Sequence, residues 1–365
     1  MSVTELEKTA ESDARLGIVD CDIHPAMTQK GELAAFMPLR WREHVRDWGM
    51  RSGGPMVGAL QFPRMGHGMR QDSYPPDGGA PASNLDFMKI QLLDELNIEF
   101  GLLHALNAGP SLHNLDLGAA VCAAMNDWQI DKWLSKEPRL KGGISIAQED
   151  TQASLKEIEE RAKDPRFVQI GFVPRSMEPA GRRRYWPIYE MAEALDLPIG
   201  VHSAASGFRA NSGAGWASFY VEEHYGFAHT AQTMLTSMIF EGVFERFPKL
   251  KLVLVEGGFA WLAPLMWRMD REWERMRSEV PHVTRKPSEY IKSNVWLTTQ
   301  PVEEPPNVKH MTHLLDWIGW EKLMFSTDYP HWDFDHPDRA FRVGMSEEAK
   351  RGILRDNAVG VYGLN

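Results

Sequence analysis

Short apolar runs alternating with longer helix-spaced segments constrain this chain more than any other feature. Eight runs rich in Val, Ile, Leu or Phe stand out, at residues 17–24, 98–105, 142–147, 167–173, 198–203, 251–256, 295–299 and 323–328. Unbroken apolarity over so few residues suits a strand buried on both faces. The intervening segments have helical spacing. Phe87, Ile90, Leu93 and Leu96 recur at three-residue steps, Ile188, Met191 and Leu195 at three and four, and Met234, Met238 and Val243 at four and five. Residues 347–364 read as a closing helix. Strands alternating with helices predict a parallel sheet, and eight such units predict a (β/α)8 TIM barrel. A doubly wound open sheet is the competing architecture. It would place a glycine-rich phosphate loop after a strand, and Gly-x-Gly-x-x-Gly follows none of the eight runs.

The expected organisation is a polar extension over residues 1–16 and one barrel domain over 17–365. A Gly/Pro/Met-rich loop at 51–83, containing Phe62 and His67, is inserted after the first strand. Loops of this length inside a domain are commonly functional, so it reads as a lid over the barrel mouth or as a dimer arm. With 40 Lys and Arg against 50 Asp and Glu, the net charge of −10 argues against a nucleic-acid surface. No apolar run approaches the roughly 18 residues of a membrane span, and residues 1–15 have no apolar signal-peptide core. Two cysteines, Cys21 and Cys122, make no disulfide framework, so a reducing cytoplasm is expected. The 13 Trp and 19 Met point to thick apolar contacts, either a pocket or a homo-oligomer interface (dimer or tetramer).

Barrel chemistry sits where strands end. Reading the polar residues there gives Asp20, Asp22 and His24 from the first strand, then His104 from the second and Arg175 beyond the fourth. The fifth contributes His202 and Ser203, the sixth Glu256, the seventh Gln300, and the eighth Asp328 with His331 three residues on. Such groups are rarely buried without partners, and a cation satisfies them economically. Asp22 and His24, two apart on a strand, share a face. A carboxylate and an imidazole can then meet one ion at about 2.0–2.2 Å. His202 lies across the barrel and Asp328 closes the site. Asp20 shares their parity but lies deeper, where it can orient a ligand. Two His and two carboxylates suit Zn, first in order, then Mn, Fe or Co, over Mg or Ca. Each residue also has a plainer reading: His202 and His104 as core histidines, Asp328 as a helix cap. Arg175 and Arg209 can each clamp a substrate carboxylate or be solvated loop arginines. His331 and Trp332 can line the pocket. His224 and His229, five apart, suit a surface or supporting role better than one ion.

Several motifs resemble the amidohydrolase superfamily: Asp22-Ile23-His24-Pro25, His202 after its apolar strand, and Phe325-Ser326-Thr327-Asp328-Tyr329-Pro330-His331. The stretch from Gly242 to Pro248, Glu256-Gly257-Gly258 and the ending Asn357-Ala358-Val359-Gly360-Val361-Tyr362 are similar to its group typified by aminocarboxymuconate-semialdehyde decarboxylase and γ-resorcylate decarboxylase. The resemblance runs from about Gly17 to Leu364. It implies a distorted (β/α)8 barrel with one divalent metal held by Asp22, His24, His202 and Asp328. The group commonly has a catalytic His before the Gly-Gly pair, where this chain has Glu256.

Two chemistries fit. A metal-bound hydroxide, with Asp328 or Glu256 taking a proton, would hydrolyse an amide, ester, lactone or C–C ketone bond. Alternatively, the metal holds a carboxylate or phenolate of a small aromatic acid, and carbon dioxide leaves as an acid protonates carbon. Glu256 could be that acid if burial raised its pKa. The resemblance favours decarboxylation. A non-catalytic, metal-retaining barrel is the third reading, and the complete ligand set argues against it.

Overall fold

Eight runs of β-forming residues become eight parallel strands: β1 Ile18–Ile23, β2 Ile98–Leu103, β3 Leu140–Ser145, β4 Phe167–Phe172, β5 Ile199–His202, β6 Leu252–Val255, β7 Val295–Thr298 and β8 Leu323–Met324. The structure is a computed structural model and describes residues 16–29, 31–49, 68–202, 210–341 and 344–365. Each strand pairs with the next in sequence order, β1 through β8. Parallel neighbours need a crossover connection, and helices supply it, Leu115–Gln129 between β2 and β3 and Trp186–Ala194 between β4 and β5 among them. Several helices start on side-chain caps that satisfy a free N–H: Asn114 accepts from Leu117 N–H and Asp150 from Ala153 N–H.

The seam between β1 and β8 is closed differently. β8 ends at Met324, four residues short of the expected Asp328. The chain beyond it still runs along β1: Cys21 N–H donates to the Phe325 carbonyl (2.9 Å), Asp328 N–H to Asp22 (3.1 Å) and His24 N–H to Tyr329 (2.8 Å). These bonds complete a (β/α)8 TIM barrel and bring the end of the last strand against the end of the first. The β1–β2 pairing shifts register between Asp20 and Ile23. Such irregularities re-aim side chains beside functional sites.

Strand residues Ile170, Ile199, Val201, Leu252 and Leu254 pack outward with Tyr189, Leu235 and Met238 of the helices, all buried. Val255 pairs in register with His202, so the two share a face. Below His202 on that face, Val253, Leu102 and Val168 pack with Val361 and Tyr362 of the closing helix. Burying a side chain of this size contributes about 1.5–3 kcal/mol. The three-residue pattern from Phe87 to Leu96 predicted one regular helix face. Instead, a wider i→i+5 turn over Lys89–Asp94 rotates the face, burying Leu92 and Leu93 and leaving Ile90 exposed.

Of the loop expected at 51–83, residues 51–67, with Phe62 and His67, lie outside the described residues. The remainder is fastened to the loop after β8. Arg70 N–H donates to the Pro330 carbonyl (2.9 Å), and Trp332 N–H to Gly68 (2.6 Å). No helix among the described residues is long and apolar enough to cross a membrane.

Candidate metal centre

The strand ends deliver their polar side chains to one point. Asp22, His24, His202 and Glu256 each offer a donor atom within 4.8 Å of the others, as do His24, Asp328 and His331. His24 Nε2 lies 3.1 Å from Asp22 Oδ1, 2.9 Å from Asp328 Oδ1 and 3.2 Å from His202 Nε2. His202 Nε2 lies 3.4 Å from Asp22 Oδ1 and 3.2 Å from Glu256 Oε2. Asp22, His24, His202, Glu256 and Asp328 are all buried.

Hydrogen bonding alone does not account for this packing. Both carboxylate oxygens of Asp22 are buried and accept no well-aligned hydrogen bond. Such atoms cost free energy unless something else compensates them. The ring of His24 is oriented from behind, with Nδ1 3.0 Å from the His104 carbonyl. Donation there puts the proton on Nδ1 and turns the Nε2 lone pair toward the carboxylates, an arrangement typical of ligating histidines. Two imidazole nitrogens facing each other among carboxylates fit a divalent ion that all of them share.

The electrostatics agree. Burial works against protonated His24, but the adjoining Asp22 and Asp328 carboxylates outweigh it and raise its pKa well above the usual value. Burial also opposes ionised Asp22, yet His24 and His202 hold it well below the carboxylate range. Glu256 is pushed well above that range by burial, then by Asp328, Asp22 and Asp333. A bound divalent cation inverts this balance: it takes the place of the imidazole proton and keeps the carboxylates ionised.

Glu256 and Asp328 both have left-handed backbone conformations, with φ of 53° and 60°. For side chains larger than glycine this costs about 1–2 kcal/mol, and such outliers cluster at functional sites. The turn carries each carboxylate off its strand. Asp328 Oδ1 receives His331 Nδ1 at 2.6 Å, and Oδ2 receives the Gln300 amide at 3.3 Å. Gln300 also donates to Asp333 Oδ2 at 2.7 Å, where His224 Nε2 lies at 2.9 Å. His224 therefore supports the site wall, while His229 is exposed. Asp20 does not reach the centre. Its carboxylate accepts from the Thr327 N–H and hydroxyl (2.9 and 2.6 Å) and from Asp22 N–H (3.2 Å), which ties β1 to the residue before Asp328. Burial pushes its pKa up to about 7 against those hydrogen bonds.

The residues expected to touch substrate are placed less uniformly. His331 lines the centre beside Asp328. His104 packs against His202, ring centroids 5.2 Å apart, and its Nε2 meets the Gln169 amide at 3.1 Å. Burial lowers its pKa to about 3, so the ring is neutral. Arg175 is buried in an ion pair with Glu223 at 3.2 Å. Trp332 is half exposed, its Nε1–H donating to the Tyr220 hydroxyl (2.9 Å). Arg209 and Ser203 lie outside the described residues. Asp333 and Gln169 were not anticipated, because no strand-end rule reaches Asp333 in its loop and Gln169 lies within β4. The alternating Trp332-Asp333-Phe334-Asp335 was the one available signal for Asp333.

Removing one partner of a buried ion pair strands the other, at about 3–5 kcal/mol. Arg175→Met is therefore expected to lower unfolding stability by that order in a denaturant titration. Adding Glu223→Leu should recover most of the loss. A variant of unchanged stability with a raised KM would return Arg175 to the substrate-clamp role.

The amidohydrolase family model matches residues 19–364 of the chain. A γ-resorcylate decarboxylase of Polaromonas sp. (strain JS666) is 28% identical over 295 residues, covering 76% of this chain and 87% of that protein. The fold is similar to that of a dihydroxybenzoic acid decarboxylase from Polaromonas sp. JS666, solved with bound manganese and the inhibitor 2-nitroresorcinol. The TM-score is 0.66 at 21% identity, covering 96% of this chain and 98% of that one. A 5-carboxyvanillate decarboxylase from Novosphingobium aromaticivorans, complexed with manganese and 4-hydroxy-3-methoxy-5-nitrobenzoic acid, gives a TM-score of 0.71 at 20% identity over 97% of both chains.

Proposed function

The chain belongs to the amidohydrolase family, and from that premise we propose that it is a divalent-metal-dependent decarboxylase of a small hydroxylated aromatic acid. The observation that carries the reading is the convergence of Asp22, His24, His202 and Asp328 on one point, with the buried oxygens of Asp22 accepting no hydrogen bond. These four residues would hold the ion. Mn²⁺ accompanies the two solved relatives and suits the mixed nitrogen and oxygen donors, so it precedes the Zn²⁺ expected from sequence. When bound, the ion supplies Lewis-acid charge for a substrate carboxylate or phenolate oxygen.

The protein's own part is to deliver a proton to carbon. We assign this to Asp328, with His331 behind it: the 2.6 Å contact between His331 Nδ1 and Asp328 Oδ1 can hold a proton and pass it forward. The ring carbon bearing the carboxylate accepts the proton. The bond to the carboxyl carbon then breaks, its electron pair restores the aromatic ring, and carbon dioxide leaves. Water returns the proton to the pair through His331, which reaches the pocket surface. Glu256 faces the same centre from β6, where its neighbour is the proposed ligand His202. Asp328 has His331 behind it to carry a proton and Glu256 has no such relay, so the acid role expected for Glu256 passes to Asp328. His331 and Arg209 remain the proposed substrate contacts, whereas Arg175, paired with Glu223, and His104, bonded to Gln169, support the wall around them. A homo-oligomer and a cytoplasmic location belong to the same proposal. Exposed Trp216, Phe219, Val221 and Tyr225 support the first, and the buried free thiols of Cys21 and Cys122 support the second.

Hydrolysis is the alternative, favoured by the carboxylate at Glu256, which would take the proton of an attacking water. The Mn²⁺-loaded protein incubated with 2,6-dihydroxybenzoate in D₂O separates the two. Decarboxylation is expected to release carbon dioxide and leave one deuterium on the former carboxyl-bearing carbon. Turnover confined to lactones, esters or amides would overturn it.

A further inference from the structure

The wall beside the metal centre ends in two aromatic side chains that hydrogen-bond to each other. Tyr220 opens the helix Tyr220–Phe240, one turn ahead of His224 and so on the same face of it. Trp332 follows His331 in the loop after β8. We propose that Tyr220 is a substrate-binding residue. It donates its phenolic proton to a second ring oxygen of the aromatic acid and thereby selects dihydroxylated over monohydroxylated rings.

Three observations lead there. The first is position. A ring nitrogen of His224 comes within 4.8 Å of carboxylate oxygens of Glu256 and Asp333. The Tyr220 ring packs on His224 and on Trp332, with centroids 5.9 and 6.3 Å away. Tyr220 therefore stands beside the metal-ligand cluster without belonging to it. The second is an unused proton. Trp332 Nε1–H donates to the Tyr220 hydroxyl at 2.9 Å, which occupies an oxygen lone pair and leaves the O–H itself uncommitted. Among the described residues that proton has no acceptor. Bracing Trp332 requires the oxygen alone, so the proton has no structural task. Burial, reinforced by Asp333, Glu256 and Asp328, pushes the Tyr220 pKa up, which keeps the group a neutral donor. Neighbouring donors are spent within the protein, the Gln300 amide on Asp328 and Asp333 and the Arg175 guanidinium on Glu223.

The third observation is that the pair is held in place from two sides. The N–H groups of Ser218 and Phe219 both donate to Glu222 (2.9 and 2.7 Å), and Glu223 pairs with Arg175, so the first turn of the helix is anchored. Opposite, Gly68 has a φ of 81°, and a Cβ there would lie 2.9 Å from Trp332 Cδ1 and 3.0 Å from the Tyr220 hydroxyl. Glycine lets the backbone bear directly on both rings. A donor fixed in advance loses little freedom on binding. An aromatic acid anchored at the centre by its carboxylate and one adjoining hydroxyl presents a second ring hydroxyl to the surrounding wall. With that oxygen present, the Tyr220 proton is paired. With a bare ring edge in its place, the donor is left dry, and a site built to bond an oxygen rejects the analogue that lacks it.

The inference rests on the decarboxylase reading, and the experiment keeps the two apart. Mn²⁺-loaded protein is titrated at one fixed pH with 2-nitroresorcinol and with 2-nitrophenol, and binding is followed by absorbance. Both are unreactive, with a nitro group in place of the carboxylate, and they differ only in carrying two flanking hydroxyls or one. Tyr220→Phe is expected to weaken 2-nitroresorcinol about tenfold and to leave 2-nitrophenol within about twofold of the wild type. Trp332→Phe keeps a ring but releases the Tyr220 hydroxyl. It should weaken 2-nitroresorcinol selectively, by a smaller factor, and it carries the test if Tyr220→Phe fails to fold. Equal losses for the two ligands, or no loss for either, overturn the role of Tyr220 and leave the proposed function standing. A wild type that binds neither ligand overturns both.

Discussion

Chelation is expected to abolish turnover, and added Mn²⁺ to restore it. Lewis-acid polarisation is worth several kcal/mol, and each ~1.4 kcal/mol is a tenfold change in rate, so the loss should be about a thousandfold or more. His202→Ala should reproduce it without rescue by metal. His202 ends β5 with its Nε2 among Asp22, His24 and Glu256, while Ile199 and Val201, three residues and one residue before it on the strand's other face, carry the fold. Folding stability should therefore change by no more than about 1–2 kcal/mol, and the far-ultraviolet circular dichroism of the variant should match that of the wild type. Metal analysis of the variant supplies the check. Full activity in a rigorously metal-free sample would end the assignment. So would a His202→Ala protein that unfolds while keeping its metal, since His202 would then be a packing residue.

The second large effect is expected at Asp328. Asp328→Asn preserves shape but removes the acceptor charge facing His331 Nδ1 and His24 Nε2. Loss of a positioned proton carrier lowers turnover by about 10²–10⁴-fold. Because the amide can still reach the ion and the substrate pocket is unaltered, kcat should carry the loss and KM should change little. Metal affinity should weaken while occupancy at saturating Mn²⁺ survives. His331→Ala should give a smaller loss of the same kind, since water can still return the proton to Asp328. Rapid-quench and steady-state kinetics on the Mn²⁺-loaded variants provide the measurement. Near-normal kcat in Asp328→Asn would move proton transfer to another group.

Much of this architecture follows from sequence alone, because its determinants are local. A strand covered on both faces must be apolar along its length, so the eight runs could be counted, and β4 and β7 begin where the pattern predicted. In a parallel barrel the functional face is the one where strands end, so Asp22, His24, His202, Glu256 and Asp328 could be picked out before any contact between them was known. Most strand ends fall a residue or two from the expected runs, and two of the differences have plain physical reasons. The run at 142–147 begins earlier, at Leu140, because the charged Lys141 interrupts the apolar pattern. The run at 323–328 stops as β8 at Met324 because the remainder bends to close the seam with β1.

Tertiary structure decided what depends on partners distant in sequence. The register shift in β1 and the closing bonds to Phe325 and Tyr329 turned Asp20 to Thr327, although its parity matched that of Asp22. Arg175 has the chemistry of a carboxylate clamp, but a helix nearly fifty residues later brings Glu223 to it. Asp333, His224 and Gln300 lie in a loop, a helix and a strand exit that share no periodicity, and only closure of the barrel sets them around Glu256. Burial patterns are written residue by residue along an element. The pairing of one buried charge with another is written only in the distance between elements, and hydrogen bonds and ion pairs act over a few ångströms, whatever the separation along the chain.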